Sequence, residues 1–231
     1  MIRLILFDID GTLLDAGGLS RRRFLCTVGQ FAALKAAPER SSFAGKTDPQ
    51  IMRELLLQNG LSTEQTDRVL GEALESYQSH YLSHFRDAGI KPLDGARDLI
   101  ERLAAIAPDR LTLGILSGNM EALVPPKLEA AGIPASSFDI GSFGSDDADR
   151  DKLPAIAVQR AERFLGASIL PREVAIVGDT PRDIGCARHF GAVSIAVATG
   201  DYTVGQLKAA GPTYVLGSLL TWGEVEHEID L

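Results

Sequence analysis

The sequence is poor in cysteine, in long apolar runs and in excess positive charge. Cys26 and Cys186 are its two cysteines among 231 residues, so no disulfide framework is expected and a reducing, cytoplasmic location is predicted. No apolar run reaches the roughly 18 residues that a membrane-spanning helix needs. The net charge of −8 argues against nucleic acid and against an anionic membrane surface as partners. These absences favour a globular protein that acts on a small molecule.

Apolar, β-rich runs alternate with helical patterns over most of the chain. The runs cover residues 2–7, 111–117, 138–143, 173–179 and 193–199, with a shorter one at 213–216. Amphipathic helical patterns cover residues 95–106, 120–132 and 154–166. Strands that alternate with helices form parallel sheets with right-handed crossovers. We therefore predict an α/β fold with a Rossmann-like, doubly wound parallel sheet.

The segment from residue 19 to residue 90 interrupts this alternation. It has no strand pattern, and its apolar residues, such as Phe24, Val28 and Phe31, recur at helical spacing. Asp48 before Pro49 is typical of a helix N-cap followed by a first-turn proline. We predict a core domain of residues 1–15 and 91–231 and an inserted all-helical cap domain of residues 16–90.

Carboxylates cluster at the ends of two predicted strands. Asp8 and Asp10 follow the first strand, Asp179 and Asp183 follow a later one, and Ser117 ends a third. The carboxyl ends of parallel strands meet at one edge of the sheet, where ligands bind. Buried carboxylates are costly unless they are paired or bound to metal, and oxygen ligands suit Mg²⁺. The sequence predicts a Mg²⁺ site at this edge.

Three stretches, FDIDGTLLD (7–15), ILSGN (115–119) and VGDTPRD (177–183), resemble the first, second and fourth motifs of the haloacid dehalogenase-like hydrolase superfamily. The stretch FAGKTDPQI (43–51) and the position of the cap resemble the phosphoglycolate phosphatase-like branch. The resemblance implies a Mg²⁺-dependent phosphatase that hydrolyses a small phosphomonoester through an aspartyl-phosphate. Its expected partner is a small phosphorylated metabolite.

The same resemblance assigns roles to the aspartates. Asp8 is expected to be the nucleophile and Asp10 the general acid and base, held in place by a hydrogen bond from Thr12. The metal ligands implied are the Asp8 carboxylate, the Asp10 backbone carbonyl and Asp179. Asp183 is expected to orient the metal site.

Phosphoryl oxygens are expected to bind Ser117 and the backbone amides of Gly118 and Asn119. The third motif departs from the family pattern, which has Lys-Pro before a helix. This chain has Asp-Arg-Asp-Lys-Leu-Pro at residues 149–154. Both Arg150 and Lys152 are candidates for the phosphate-binding cation, and the sequence does not separate them.

Basic residues of the cap are candidates for substrate specificity. Lys46 lies in a loop between predicted helices, from which it can reach an anionic substrate. Residues 20–25 (SRRRFL) also resemble a twin-arginine export signal, but cleavage after such a signal would remove Asp8. We interpret this segment as the first cap helix, with Arg22 or Arg23 facing the active site.

Two other functions keep the same motifs. A phosphosugar mutase of the superfamily retains both aspartates of the first motif, as this chain does. A non-catalytic, phosphate-binding regulatory protein would use the cap as a partner surface. Dehalogenases lack the second aspartate, so Asp10 argues against that activity. The sequence does not indicate an oligomeric state.

Overall fold

The computed structural model describes residues 1–34, 43–83, 89–106 and 110–230. Its strands are β1 (Leu4–Phe7), β2 (Leu14–Asp15), β3 (Lys91–Pro92), β4 (Thr112–Ser117), β5 (Ile140–Phe143), β6 (Val174–Gly178), β7 (Val193–Val197) and β8 (Tyr214–Leu216). Its helices are α1 (Leu19–Phe31), α2 (Asp48–Gln58), α3 (Thr63–Ser83), α4 (Ala96–Ala104), α5 (Val124–Ala130), α6 (Leu153–Leu165), α7 (Pro181–Phe190), α8 (Val204–Ala209) and α9 (Gly223–Glu226).

Six strands form one parallel sheet in the order β5-β4-β1-β6-β7-β8. The order runs outward from β1 in both directions, as a doubly wound fold requires. β1 lies at the centre, between β4 and β6, so its residues are buried on both faces. This explains why the first strand reads as a continuous apolar run. The predicted α/β fold is confirmed.

Side chains of β1 alternate between two apolar layers. Ile5 and Phe7 pack with residues of α4 and α5 and with Trp222 on one face. Leu4 and Leu6 pack with residues of α6 and α7 on the other. Full burial of such a side chain contributes roughly 1.5–3 kcal/mol. The two layers hold β1 rigidly, and Asp8 follows directly at its carboxyl end.

Helices α1, α2 and α3 form a separate apolar cluster. Phe24 of α1 stacks on Tyr77 of α3, with ring centroids 4.0 Å apart, and Met52 of α2 is buried in the same cluster. Strands β2 and β3 pair antiparallel, with Leu14 opposite Pro92. This ribbon lies where we place the two boundaries between core and cap, and the division into domains stays a prediction.

The start of α2 differs from the prediction by one residue. The N-cap is Thr47, whose hydroxyl accepts a hydrogen bond from the Gln50 amide. The Asp48 carboxylate does not cap the helix and instead accepts a hydrogen bond from the Met120 amide of the core. Threonine and aspartate both cap helices well, so the pattern alone did not distinguish them. Among the residues described, no helix is long and apolar enough to cross a bilayer.

Candidate active site

The turn after β1 places Asp8 and Asp10 at the carboxyl edge of the sheet. Gly11 has a φ of +87°, a conformation that disfavours other residues. A methyl group at Gly11 would lie 2.4 Å from Asp179 Oδ2. Glycine is therefore required both for the turn and for the close approach of the strand-end carboxylate from β6.

Asp8, Asp179 and Asp183 form a buried group whose carboxylate oxygens lie within 4.8 Å of one another. Arg150 joins this group: its Nη2 lies 3.1 Å from Asp8 Oδ1 and 2.5 Å from Asp183 Oδ1. One guanidinium thus pairs with two of the three carboxylates, and all four side chains are buried. Such a donor set has the composition and spacing of a site for a hard divalent cation.

Electrostatics in this group favour added positive charge. Burial raises the pKa of Asp8 to about 7, against the opposing effect of Arg150, and the charges of Asp183 and Asp10 raise it further. Burial also raises the pKa of Asp179 well above its usual range, with Asp183 and Asp8 adding to the effect. Like charges in a site of low dielectric repel, so these carboxylates bind a cation or protons readily.

Thr12 does not bond Asp10 as expected. Its hydroxyl donates to Asp179 Oδ1 at 3.3 Å. Asp179 is also close to Gly200, where a methyl group would lie 1.7 Å from Asp179 Oδ2. Thr12 and the loop after β7 therefore fix the rotamer of a predicted metal ligand. The expected bond is not formed because the turn after β1 carries the Thr12 side chain towards β6.

The end of β4 brings Ser117, Gly118 and Asn119 beside the aspartates. Ser117 is fully buried, and its Oγ accepts hydrogen bonds from the backbone and side-chain amides of Asn119 at 3.3 and 2.8 Å. We expect the Ser117 hydroxyl to donate to a bound phosphoryl oxygen. Asn119 Nδ2 also donates to Asp10 Oδ2 at 2.8 Å. The Asn119 side chain thus contacts Asp10, in addition to the backbone amide that was predicted to bind phosphate.

Sequence reasoning missed Lys127. This lysine of α5 is fully buried, and its Nζ lies 2.7 Å from Asp10 Oδ2 and 2.5 Å from Asn119 Oδ1. A signal was present, because Lys127 occupies the apolar stripe of α5 formed by Val124, Leu128 and Ala131. A lysine at a core-facing position of an amphipathic helix needs a buried anionic partner.

The structure separates the two candidate cations of the third motif. The short 3₁₀ turn Arg150–Lys152 is started by Asp149, whose side chain accepts from the Asp151 amide. Residues two apart in such a turn point in different directions. Arg150 points inward to Asp8, whereas Lys152 pairs with Asp147 at the surface, 3.0 Å away. The geometry favours Arg150 as the cation beside Asp8.

The loop before α2 rests directly on the end of β4. The Asp48 amide donates to the Gly118 carbonyl at 2.7 Å, and the Thr47 hydroxyl donates to the Ala148 carbonyl at 2.7 Å. A methyl group at Gly118 would lie 2.2 Å from the Lys46 carbonyl oxygen. Glycine at 118 thus allows cap and core to touch beside Ser117.

The predicted specificity residues differ in their surroundings. Lys46 brings its backbone to the site, but its ammonium pairs with Glu54 of α2. Arg22 is exposed and donates to the Gly17 carbonyl at 2.9 Å, so it contacts the turn before α1 instead of facing the aspartates. The Arg23 Nε is buried and lacks a hydrogen-bond partner among the residues described. Arg23 therefore stays a candidate for contact with substrate.

The chain matches the model of the haloacid dehalogenase-like hydrolase family over residues 5–188, and it belongs to that family. It is 28% identical over 223 residues to a phosphoglycolate phosphatase of Vibrio vulnificus, covering 94% of this chain and 93% of the relative. It is 28% identical over 215 residues to the pyrophosphatase PpaX of Oceanobacillus iheyensis, covering 93% and 92%. The crystal structure of CbbY from Rhodobacter sphaeroides in complex with xylulose-(1,5)-bisphosphate shares the fold, with a TM-score of 0.68, 21% identity and 95% coverage of both chains.

These comparisons confirm the family, its phosphoglycolate phosphatase-like branch and the assignment of the chain as a phosphoric monoester hydrolase. The motifs at Asp8 and at Ser117, together with that at Asp179, all fall inside the matched region. The relatives match along nearly their whole length, 93% for the phosphoglycolate phosphatase and 92% for the pyrophosphatase.

Proposed function

We propose that the protein is a Mg²⁺-dependent phosphatase that hydrolyses a small phosphomonoester through a phosphorylated Asp8. The observation that carries the proposal is the meeting of three strand ends in one buried site: β1 contributes Asp8 and Asp10, β4 contributes Ser117, and β6 leads to Asp179. Arg150 completes the site, 3.1 Å from Asp8. The grouping combines a nucleophile, an acid, a hydroxyl donor and a cation.

In the first step, an Asp8 carboxylate oxygen attacks phosphorus while the bond to the leaving oxygen breaks. The leaving oxygen takes the bonding electron pair, and Asp10 gives it a proton. Ser117 Oγ and the amides of Gly118 and Asn119 lie where they stabilise phosphoryl oxygens. Arg150 offsets the negative charge that gathers as two anions approach each other.

In the second step, Asp10 is ionised and takes a proton from a water molecule. That water attacks phosphorus, the bond between phosphorus and the Asp8 oxygen breaks, and phosphate leaves. Asp8 returns to a carboxylate and Asp10 to its acid form. The division into two steps replaces one slow hydrolysis by two faster displacements.

Asp8, Asp179 and Asp183 are the side chains that would hold the metal, with the Asp10 backbone carbonyl beside them. Their fit to Mg²⁺ is supported by three close carboxylates, all oxygen donors, in a buried group with raised pKa values. When bound, Mg²⁺ shields the Asp8 charge from the phosphate dianion and orients the phosphoryl group.

The substrate class that we propose is a small phosphorylated acid or sugar. The loop of residues 45–48 contacts Gly118 beside Ser117, so we expect it to limit the size of the leaving group that the site accepts. A phosphoglycolate phosphatase among the relatives and a bisphosphate sugar bound to CbbY support this range.

Hydrolysis of p-nitrophenyl phosphate with purified protein tests the proposal. We expect turnover with Mg²⁺, its loss in EDTA, and its return when Mg²⁺ is added in excess. Asp8→Asn, which keeps the shape of the side chain, should abolish turnover while the circular dichroism spectrum stays unchanged. Persistent turnover in Asp8→Asn would refute the nucleophile assignment. A panel of phosphate esters ranked by kcat/KM then identifies the substrate.

A further inference from the structure

Lys127 is a buried cation whose contacts link two elements of the active site. Its Nζ lies 2.7 Å from Asp10 Oδ2, 2.5 Å from Asn119 Oδ1 and 3.5 Å from Ser20 Oγ. The face of the Tyr81 ring lies 5.2 Å from the same atom. The lysine therefore contacts the catalytic turn, the end of β4 and the cap.

Burial of an unpaired ammonium would cost several kcal/mol. Burial itself lowers the pKa of Lys127, but Asp10, Tyr81 and Asp48 more than offset that effect, so its pKa is raised. Its hydrogen bonds to the oxygens of Asp10 and Asn119 favour the charged form of the side chain. The lysine is stable in the apolar stripe of α5 only because Asp10 and Asn119 accept hydrogen bonds from its ammonium group.

The two oxygens of Asp10 have different surroundings. Oδ2 accepts hydrogen bonds from Lys127 Nζ at 2.7 Å and from Asn119 Nδ2 at 2.8 Å. Oδ1 is buried and has no hydrogen-bond partner among the described parts of the chain. Two donors on one oxygen prevent the carboxylate from rotating, and they leave the other oxygen available.

We propose that Lys127 is a positioning residue that clamps Asp10 through Oδ2 and so presents Oδ1 as the atom that gives and takes the catalytic proton. The inference rests on the proposed function, in which Asp10 protonates the leaving oxygen. Asn119 also helps to hold Asp10. Its side-chain Nδ2 donates to Asp10 and its Oδ1 accepts from Lys127, so the three side chains form one hydrogen-bond network.

The clamp matters most when the leaving group is a poor one. A p-nitrophenolate leaves readily without a proton, whereas a more basic phenolate or an alkoxide needs one in the transition state. Loss of the clamp should therefore slow the hydrolysis of esters with basic leaving groups far more than that of p-nitrophenyl phosphate. A side chain that only filled space would change both rates equally.

The test measures kcat/KM of wild type and Lys127→Met on aryl phosphates from p-nitrophenyl to p-methoxyphenyl phosphate. We expect kcat/KM to depend more steeply on leaving-group basicity in the variant than in wild type. The loss of kcat/KM should be about tenfold to hundredfold larger for the ester with the most basic leaving group than for p-nitrophenyl phosphate. Lys127→Gln keeps a donor and should recover part of the difference. Lys152→Met removes a surface lysine that pairs with Asp147, and it should leave the dependence unchanged.

Asp10→Ala is the reference that separates the two proposals. If kcat/KM of Asp10→Ala does not depend more steeply on leaving-group basicity than kcat/KM of wild type, the assignment of Asp10 as the acid fails. If Asp10→Ala steepens the dependence and Lys127→Met does not, the positioning role of Lys127 is overturned. Should Lys127→Met fail to fold, as judged by circular dichroism, Asn119→Leu removes the second donor to Oδ2. Asn119→Leu must then steepen the dependence, and an unchanged dependence overturns the proposal.

Discussion

Asp8 and Asp10 are two residues apart on one turn, and each faces a buried cation, yet their surroundings differ. Asp8 shares Arg150 with Asp183, so carboxylates outnumber cations around it. Asp10 forms a salt bridge with Lys127, which pairs with no second carboxylate at that distance among the residues described, and the Asp10 side chain is 37% exposed. Excess negative charge suits a nucleophile that works beside a metal, whereas a carboxylate held by its own salt bridge suits a group that must exchange a proton from a fixed position. We propose that the surroundings, and not the residue type, distinguish the roles of the two aspartates.

Removal of Arg150 should have the largest effect on the Asp8 side. In Arg150→Met, we expect kcat/KM to fall about 10²–10³-fold, since a cation that offsets transition-state charge is lost. The fall should be equal for all aryl phosphates, because Arg150 does not contact Asp10. Kinetics on the aryl phosphate series check this, with Lys152→Met as the matched control. A steeper dependence of kcat/KM on leaving-group basicity in Arg150→Met would contradict the distinction between the surroundings of Asp8 and those of Asp10.

Gly118→Ala should disturb both sides at once, because β4 supplies contacts to both. The added methyl group would lie 2.2 Å from the Lys46 carbonyl oxygen, so the cap loop or the end of β4 must shift. A shift of this size at reacting groups costs about 10²-fold in kcat/KM. Gly185→Ala is the control, because a methyl group there meets nothing within 4 Å. Wild-type kinetics in Gly118→Ala would show that contact between the loop and β4 is not needed for catalysis.

Asp48 gives a measure of charge on the Asp10 side that does not depend on activity. Burial raises its pKa to about 7, with Lys127 opposing and Asp10 adding to the effect. Below about pH 3 the carboxyl is protonated in both the folded and unfolded states. As pH rises to 7, the unfolded state ionises first, so the wild type loses stability that Asp48→Asn keeps.

The difference in Tm between Asp48→Asn and wild type should therefore grow from pH 4 to pH 7 and stay constant above it. The corresponding free energy of unfolding is at most about 4 kcal/mol. Thermal unfolding followed by circular dichroism across this range measures it. A difference that does not vary with pH would mean that the environment of Asp48 is not the one described.

Arg22→Ala should have the smallest effect. Arg22 donates to the Gly17 carbonyl and is exposed, so we expect KM for the best substrate to change less than about twofold, as for most surface substitutions. Steady-state kinetics check it, with Arg23→Ala measured beside it. A large rise in KM for Arg22→Ala would restore this residue as a specificity element.

Features that depend on residues adjacent in sequence could be predicted from the sequence. Strand β1 and the Asp8 turn were found because an apolar run, a pair of aspartates and a glycine adjoin one another. Lys127 was not found, because the apolar stripe of α5 indicates that this lysine faces the interior but does not indicate that Asp10 is its partner. Arg150 and Lys152 were left unresolved because they are two residues apart, and only the path of the 3₁₀ turn decides which is buried.

The division of labour between Asp8 and Asp10 is tested most directly by trapping the phosphorylated enzyme. Asp10→Asn is mixed with p-nitrophenyl phosphate and Mg²⁺, quenched in acid within one turnover and analysed by mass spectrometry of its peptides. The account predicts one added phosphoryl group on Asp8, because the good leaving group departs without Asp10 while the attack of water is slowed. A phosphoryl group on another residue, or release of p-nitrophenol with no phosphorylated peptide, would contradict it.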